Sequence, residues 1–148
     1  MNRQMRQILP GEAALIAPLF DAYRQFYKQS PDLEGARRFL TERLGRDESV
    51  VFGVIENGRA IGFAQLYPSF SSVSMTFVWI LNDLFVVPEA RRLGVATALL
   101  RAVREFAKTR GAGRLVLSTA VDNKSAQALY EREGWQIDSG FLQYTLEV

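Results

Sequence analysis

The segment VVPEARRLGVATALL places two arginines and a glycine at a predicted helix start. Arg91 and Arg92 lie where a helix already carries about half a positive charge, so each unpartnered cation should cost about 0.3–1 kcal/mol there. Gly94 and Ala96 remove side-chain bulk at the same place, which lets a ligand approach the free backbone N–H groups. These features favour a binding site for phosphate. The alternative is an ordinary helix start, with the arginines reaching back to Glu89 or out to water.

The composition limits which side chains can catalyse a reaction. The chain of 148 residues contains neither His nor Cys, which excludes a histidine base, a histidine or cysteine zinc ligand and a cysteine nucleophile. The nucleotide-binding patterns Gly-x-x-x-x-Gly-Lys-Ser/Thr and Gly-x-Gly-x-x-Gly are absent as well. Acid–base chemistry must therefore use Asp, Glu, Tyr, Lys or a water molecule held by the backbone, and we expect no metal site.

A second group of residues lies on the helix predicted in the segment DNKSAQALYEREGW. Helical spacing places Asn123, Ala126 and Tyr130 on one face, where the small Ala126 leaves room beside the tyrosine. The Tyr130 hydroxyl could then reach a ligand that lies along this face. The alternative is a half-buried core tyrosine with its hydroxyl at the surface. We expect Gly134 to end the helix as its C′ residue.

The predicted elements that position these residues follow the order βααβββαβαβ in one domain, residues 1–148, without a linker or an internal repeat. Two β-rich runs flank Asn57-Gly58, a pair typical of a type I′ hairpin turn. The strand–helix–strand order of the second half implies a right-handed crossover and hence a parallel strand pair inside a mostly antiparallel sheet. The expected fold class is mixed α/β. The fifth strand is predicted as a buried strand over 114–121, and the last strand over 141–148.

Both motifs resemble those of the GNAT N-acetyltransferase superfamily. RRLGVA is similar to the family's Q/R-x-x-G-x-G/A loop, with Arg91, Gly94 and Ala96 at its three defining positions. NKSAQALYEREGW is similar to the family's N-x-x-A-x-x-L-Y-x-x-x-G-F/W signature. The resemblance covers residues 75–148 well and the first half of the chain mainly in element order. The second signature is matched by Asn123, Ala126, Leu129, Tyr130, Gly134 and Trp135.

This resemblance implies an N-acetyltransferase that moves the acetyl group of acetyl-CoA to a primary amine. We expect direct transfer, because neither Cys nor His is present to carry the acetyl group. In the family the parallel strand pair splays around the cofactor, strand backbone pairs with the pantetheine arm, and residues matching 92–97 hold the phosphates. The cofactor-binding residues implied here are Leu84, Phe85, Val86, Arg91, Arg92, Leu93, Gly94, Val95, Ala96, Thr97, Asn123, Ala126 and Tyr130.

The proton acceptor is the difficult part of this reaction. An amine with a pKa of about 10.4 is almost wholly protonated at pH 7, whereas a thiol leaving group with a pKa of about 8.5 needs less help. ILNDLFV, together with AYRQFYK on the first helix, resembles the diamine and polyamine-type branch of the family, in which a Glu acts as base through water. This chain has Asn82 at that position, and Asn can orient water but cannot take a proton.

The neighbouring Asp83 is the other candidate base. Strand alternation sends its side chain to the opposite face unless a β-bulge intervenes. The alternative role for Asp83 is a structural carboxylate that binds the backbone or an arginine, and a lower-pKa amine would relieve the need for a strong base. By resemblance, Tyr130 would protonate the leaving thiolate. The candidate catalytic residues are Tyr130, Asn82 and Asp83.

Aromatic residues on the first helix and the fourth strand are candidates for the acceptor pocket, namely Tyr23, Phe26, Tyr27 and Trp79. Tyr67 and Phe70 are further candidates. Asp32 and Glu34 could attract a cationic amine, although carboxylates also suit a helix start. The acceptor could be a polyamine-like small molecule, a protein lysine or a protein N-terminus. A non-catalytic acyl-CoA-binding module is the alternative from another class, since Asn82 replaces the acid.

Charge and hydropathy bear on partners and location. The formal net charge is +2 and no basic stripe is present, so we expect no nucleic-acid partner. No apolar run is long enough to span a bilayer, and the first residues lack a signal-peptide pattern. With no Cys in the chain, we expect a cytoplasmic protein without a membrane partner. The resemblance implies a homodimer.

Overall fold

The computed structural model of the protein describes residues 2–148, which form two compact units, one ending at Ser118 and one spanning Thr119–Val148. Short 3-10 turns at Pro10–Glu12 and Pro88–Ala90 precede two of the helices. The first unit contains β1 (Arg3–Gln7), α1 (Ala13–Phe26), α2 (Leu33–Gly45), β2 (Val50–Glu56), β3 (Arg59–Ser71), β4 (Thr76–Val86), α3 (Val95–Thr109) and β5 (Arg114–Val116), and the second contains α4 (Lys124–Arg132).

The five strands form one sheet in the order β1-β2-β3-β4-β5. All neighbouring strands are antiparallel except β4 and β5, which are parallel. The predicted mixed α/β class, with a parallel pair inside a mostly antiparallel sheet, is therefore confirmed. The predicted hairpin is confirmed too, since Asn57 and Gly58 join β2 to β3 with φ angles of 53° and 77°.

Helices cover both faces of the sheet. Phe63 of β3 packs edge-on against Phe20 and Tyr23 of α1, which defines the face that α1 and α2 cover. The preceding residue, Gly62, points to the other face, where a Cβ atom would lie 2.8 Å from Cγ1 of Val95 on α3. Glycine at position 62 thus lets α3 approach the sheet closely.

The parallel pair is short. β5 pairs only with Val78–Ile80 near the beginning of β4, and β4 continues to Val86. Among residues 2–148, no strand pairs with Leu81–Val86 on the side where β5 lies. This part of β4 therefore offers backbone groups at an open edge next to the start of α3.

Two predicted strands differ from the structure. The fifth strand covers Arg114–Val116 instead of 114–121, and its residues are exposed or half-buried because it lies at the edge of the sheet. Residues 141–148 have no regular secondary structure. A strand needs a second strand whose backbone groups it can hydrogen-bond. Within Thr119–Val148 the described regular element is the helix α4, so residues 141–148 have no partner strand in their own unit. None of the helices within residues 2–148 combines the length and apolarity that crossing a bilayer requires.

Candidate active site

A β-bulge in β4 sets the geometry of the candidate site. Gln65 of β3 lies opposite Asp83, but Leu66 lies opposite Leu81, so Asn82 is the extra residue in β4. Gln65 shares its face of the sheet with Phe63, two residues earlier, and Asp83 therefore points toward α1. The β-bulge that Asp83 requires in order to share a face with the other candidate residues is therefore present.

Asp83 is a buried carboxyl with an amide donor on each oxygen. Its side chain is almost completely shielded, Gln65 Nε2 donates to Oδ2 at 2.6 Å, and Asn82 Nδ2 donates to Oδ1 at 2.9 Å. Burial raises the pKa of Asp83 above its usual range, while hydrogen bonds from Gln65, Asn82 and Tyr23 act in the opposite direction. A carboxylate with a raised pKa is a stronger proton acceptor at neutral pH than an exposed one.

A cavity of about 500 Å³ lies over this carboxyl, between α1, α2 and the bulged strands. Its volume is within the range of small-molecule pockets. Of the predicted acceptor residues, the structure brings Tyr23, Tyr27, Tyr67 and Asp32 together here with Asn82 and Asp83. The remaining lining residues are Phe20, Arg24, Gln29, Gly35, Ala36 and Phe39.

Tyr23 connects α1 to the bulge. Its hydroxyl donates to the backbone carbonyl of Asn82 at 3.2 Å. Its ring packs edge-on against Tyr27, Phe63 and Phe85, with centroid distances of 5.1, 5.9 and 6.1 Å. This packing holds the wall of the cavity against the irregular part of β4.

Other residues expected in the acceptor pocket lie elsewhere. Phe26 is 57% exposed and is not part of the lining. Trp79 points to the opposite face of the sheet, where its ring lies 5.2 Å from that of Phe106 on α3. Phe70 is exposed as well, and Glu34 pairs with Arg37 on α2 at 3.0 Å.

Gln65 is a residue of this site that was not among those predicted from the sequence. This residue is fully buried inside β3, in the run AIGFAQLY, and its flanking residues are apolar. A long polar side chain in the middle of a buried strand requires a hydrogen-bond partner. That signal was available in the sequence, although the identity of the partner depends on the register at the bulge.

The loop before α3 has the backbone geometry of an anion site. Arg92 and Gly94 have φ angles of 64° and 79°, and Gly94 is the N-cap residue of α3. The N–H of Ala98 donates to the carbonyl of Gly94 at 3.0 Å. The N–H groups of residues 95–97 precede this bond and have no acceptor within the helix. A Cβ atom on Gly94 would meet nothing within 4 Å, so the space next to these amides is open.

The two arginines of this loop have different surroundings. Arg91 Nε donates to the carbonyl of Val86 at 3.0 Å, and its guanidinium lies 5.7 Å from the centre of the Phe85 ring. Arg91 therefore fastens the loop to the end of β4. Glu89 pairs at 3.4 Å with Arg59 and not with the arginines that follow it. The side chain of Arg92 is exposed at the loop surface.

In the second unit, the predicted motif residues form both ends of α4. Asn123 is the N-cap residue, and its Oδ1 accepts a hydrogen bond from the N–H of Ala126 at 3.3 Å. At the other end, the N–H of Gly134 donates to Glu131 and that of Trp135 donates to Tyr130, which is the hydrogen-bond pair of a Schellman motif. The prediction that Gly134 is the C′ residue is confirmed.

The aromatic contact in this motif explains part of the spacing. The rings of Tyr130 and Trp135 lie 6.2 Å apart, which is the C3–C″ apolar contact that accompanies a Schellman motif. The residues of the pattern Tyr-x-x-x-Gly-Trp therefore form the motif that ends the helix. The side-chain hydroxyl of Tyr130 takes no part in these backbone bonds.

Comparisons with known proteins agree with this geometry. The sequence model of the Acetyltransferase (GNAT) family matches residues 16–135. The chain belongs to the GNAT acetyltransferase family. It is 51% identical over 144 residues to YhfO, an uncharacterized N-acetyltransferase of Bacillus subtilis, with 97% of each chain covered. It also matches the crystal structure of a probable acetyltransferase with a TM-score of 0.92 and 44% identity, covering 98% of this chain and 97% of the other.

A more distant relative is an aminoglycoside N(6′)-acetyltransferase of Klebsiella aerogenes, which is 31% identical over 66% of this chain and 65% of its own. As a GNAT protein, the chain described here is an N-acetyltransferase, and members of its family generally use acetyl-CoA. None of these three relatives is described as a diamine or polyamine acetyltransferase, so the branch that ILNDLFV resembles is not specified by them.

Proposed function

We propose that this GNAT enzyme transfers the acetyl group of acetyl-CoA directly to a primary amine of a small, cationic molecule that binds in the cavity over Asp83. The observation that carries this proposal is the buried Asp83 carboxyl at the wall of a cavity of about 500 Å³. An acceptor amine needs a proton acceptor before it can act as a nucleophile, and the raised pKa of Asp83 suits that task.

In the proposed reaction, the acceptor enters the cavity as an ammonium ion attracted by the Asp83 carboxylate. One proton passes from its nitrogen to an oxygen of Asp83, which leaves a neutral amine and a neutral carboxyl group. Asn82, which lines the same cavity, orients the acceptor or a water molecule between the two groups. Asn82 thus has a positioning task, and Asp83 supplies the basic group that Asn82 lacks.

The chain's own backbone is suited to hold acetyl-CoA. The amides of residues 95–97 and the positive-φ positions Arg92 and Gly94 fit its phosphates, and the open edge of β4 at 84–86 fits its extended arm. When bound, acetyl-CoA would supply an activated acetyl group, so that the C–N bond to the neutral amine forms and the C–S bond breaks. The nitrogen loses its second proton as the sulfur takes one, which leaves no net proton from this exchange, and Asp83 returns the first proton to solvent. The Tyr130 hydroxyl stays the predicted donor of that proton.

The cavity wall indicates the class of acceptor. Phe20, Phe39 and the tyrosines present apolar surface, and Asp32 adds a carboxylate. The one arginine of the lining, Arg24, is held by the buried Asp21 at 2.8 Å, so its charge is largely compensated. A compact cationic amine fits these walls, and a polyamine-like molecule is one member of this class. The name of the aminoglycoside N(6′)-acetyltransferase relative is consistent with a small amine acceptor. A single acetyltransferase domain, a homodimer and a cytoplasmic location stay predictions.

The test is release of CoA thiol from acetyl-CoA in the presence of four acceptor sets: diamines and polyamines, aminoglycosides, neutral monoamines, and short peptides with a free N-terminus or lysine. The proposal expects the highest kcat/KM with one of the first two sets, and mass spectrometry should find one acetyl group on a primary amine. Preference for the peptides would overturn the acceptor class. Binding of CoA without acetylation of any acceptor would instead support a non-catalytic acyl-CoA-binding module.

A further inference from the structure

Gln65 occupies an unusual place for a polar side chain. It is completely shielded from solvent in the middle of β3, directly opposite Asp83 at the bulge. Its Nε2 donates to Asp83 Oδ2 at 2.6 Å, whereas its Oε1 has no hydrogen-bond partner among residues 2–148. Its neighbours along the strand, Ala64 and Leu66, are apolar and equally buried.

A buried amide of this kind costs stability. Its carbonyl oxygen leaves water without gaining a donor, and an apolar side chain of similar length would avoid that cost. The hydrogen bond to Asp83 is therefore the contact that explains a glutamine at this position. Because Gln65 and Asp83 come from different strands, the bond also depends on the register shift at Asn82.

The two amide donors to Asp83 lie in different surroundings. Gln65, on Oδ2, is fully buried, whereas Asn82, on Oδ1, is exposed at the bulge and lines the cavity. Oδ2 is thus bonded by a fully buried side chain of β3. Oδ1 is bonded by a side chain that lines the cavity, which makes it the better placed oxygen for an acceptor amine or a bound water.

We propose that Gln65 is a positioning residue for the acetyl transfer: its amide anchors Oδ2 of Asp83 and so presents Oδ1 to the cavity for proton transfer. This inference rests on the proposed function, because it assumes that Asp83 takes the proton of the acceptor. Gln65 itself does not touch the acceptor.

The same hydrogen bond affects the protonation of Asp83. Burial raises the pKa of Asp83, and the N–H donors favour the charged form and lower it. Loss of the Gln65 donor should therefore raise the pKa further. Since the base works only when ionised, the acidic limb of the rate profile should move to higher pH. Other titratable groups lining the cavity or acting on its walls are Tyr23, Arg24, Tyr27, Asp32, Arg43 and Tyr67.

The experiment compares Gln65→Met with Leu66→Met in the full chain. Both variants place methionine in the buried part of β3, but only the first removes a donor from Asp83. Two quantities are measured against pH: kcat/KM for the acceptor, and the carboxyl ¹³C shift of Asp83 in Asp-labelled protein without ligands, assigned by its absence from Asp83→Asn. The acceptor amine titrates identically in all variants, so any difference between profiles belongs to the protein.

We expect both midpoints to rise by about one pH unit in Gln65→Met and to stay unchanged in Leu66→Met. If Gln65→Met does not fold, Gln65→Glu replaces it; two adjacent carboxyls then share a proton, and the shift should be larger. An equal loss of activity at every pH with an unmoved carboxyl midpoint would overturn the inference. The carboxyl titration needs no substrate, so it remains decisive even if no acceptor is acetylated and the proposed function fails.

Discussion

The N–H of Ala98 donates to the carbonyl of Gly94 at 3.0 Å, and this is the first hydrogen bond of α3 from a residue to the fourth before it. The amides of residues 95–97 are consequently left to a ligand, at the end of the helix where its dipole favours an anion. Gly94 has no side chain to cap them, and its φ of 79° turns the chain into the helix. We therefore predict that cofactor binding depends on a residue without a Cβ at position 94.

The first prediction concerns Gly94→Ala. A Cβ atom there meets no neighbour within 4 Å, but the φ of 79° is strained for alanine, so the free energy of unfolding should fall by about 1–2 kcal/mol. The methyl group would also project beside the open amides. We expect the Kd for CoA, measured by calorimetry, to rise about tenfold or more, since a loss near 1.4 kcal/mol corresponds to a factor of 10.

Gly58→Ala is the matched control for this change. Gly58 has a φ of 77° and equally open space, but it lies in the turn between β2 and β3. The two variants should lose similar stability in urea unfolding, and only Gly94→Ala should weaken CoA binding. Equal affinities for CoA in both variants would show that the α3 start does not hold the cofactor.

The second prediction is that Asp83→Asn lowers kcat by about 10²–10⁴-fold, the usual contribution of an acid–base group. Asparagine keeps the shape of the side chain but cannot take a proton. Burial raises the pKa of Asp83, so ionising it in the folded protein is unfavourable, and the variant should unfold at an equal or higher urea concentration at pH 7. The measurements are kcat against pH and urea unfolding.

Asp47→Asn makes the same chemical change away from the cavity. Asp47 lies in the loop after α2 with a φ of 56°, a conformation that asparagine adopts readily. Its kcat should match that of the parent protein. If Asp83→Asn retained full activity as well, a different group or the solvent would have to accept the proton.

Short sequence patterns predicted the turns and helix ends, which depend on the conformational preferences of neighbouring residues. Asn57-Gly58 indicated the hairpin because both residues suit positive φ angles, and the small residues Gly94 and Ala96 indicated the region where α3 begins. Trp79, a candidate for the acceptor pocket, lies on the face that α3 covers, and one sequence cannot show on which face a long strand carries its aromatic residues. The bulge at Asn82 reverses the alternation of β4, so the approach of Gln65 to Asp83 follows from pairing between strands that are far apart in sequence.

The third prediction is that Tyr130→Phe slows acetyl transfer without abolishing it. Phenylalanine keeps the ring contact with Trp135 and the backbone bonds of the Schellman motif, so the C-terminal end of α4 should keep its structure. The loss in kcat should be on the order of tenfold, below that of a typical acid–base group, because a thiol with a pKa of about 8.5 leaves readily. Tyr144→Phe, at a residue that is 88% exposed, is the control. An unchanged kcat in Tyr130→Phe would remove the hydroxyl from the mechanism.

The fourth prediction concerns the junction of β1 and α1. Glu12 accepts hydrogen bonds from both terminal nitrogens of Arg6, at 2.7 and 2.6 Å, and from the N–H of Leu9 at 2.9 Å. These bonds lower the pKa of Glu12 from 4.5 to about 2, with the bond to Arg6 as the largest cause. The pKa of Glu12 is lower in the folded state than in the unfolded state, so the ionised carboxylate stabilises the fold above about pH 4.5. This contribution is lost as the pH falls toward 2.

Glu12→Gln should therefore lower the midpoint of urea unfolding at pH 7, and the difference from the parent protein should shrink steadily between pH 4.5 and 2. Glu105→Gln makes the same change on the exposed side of α3 and should move the midpoint far less. A difference between Glu12→Gln and the parent that stayed constant across this pH range would mean that Glu12 acts through packing. The loss of stability in Glu12→Gln would then not come from the hydrogen bonds that Arg6 and the N–H of Leu9 donate to the charged carboxylate.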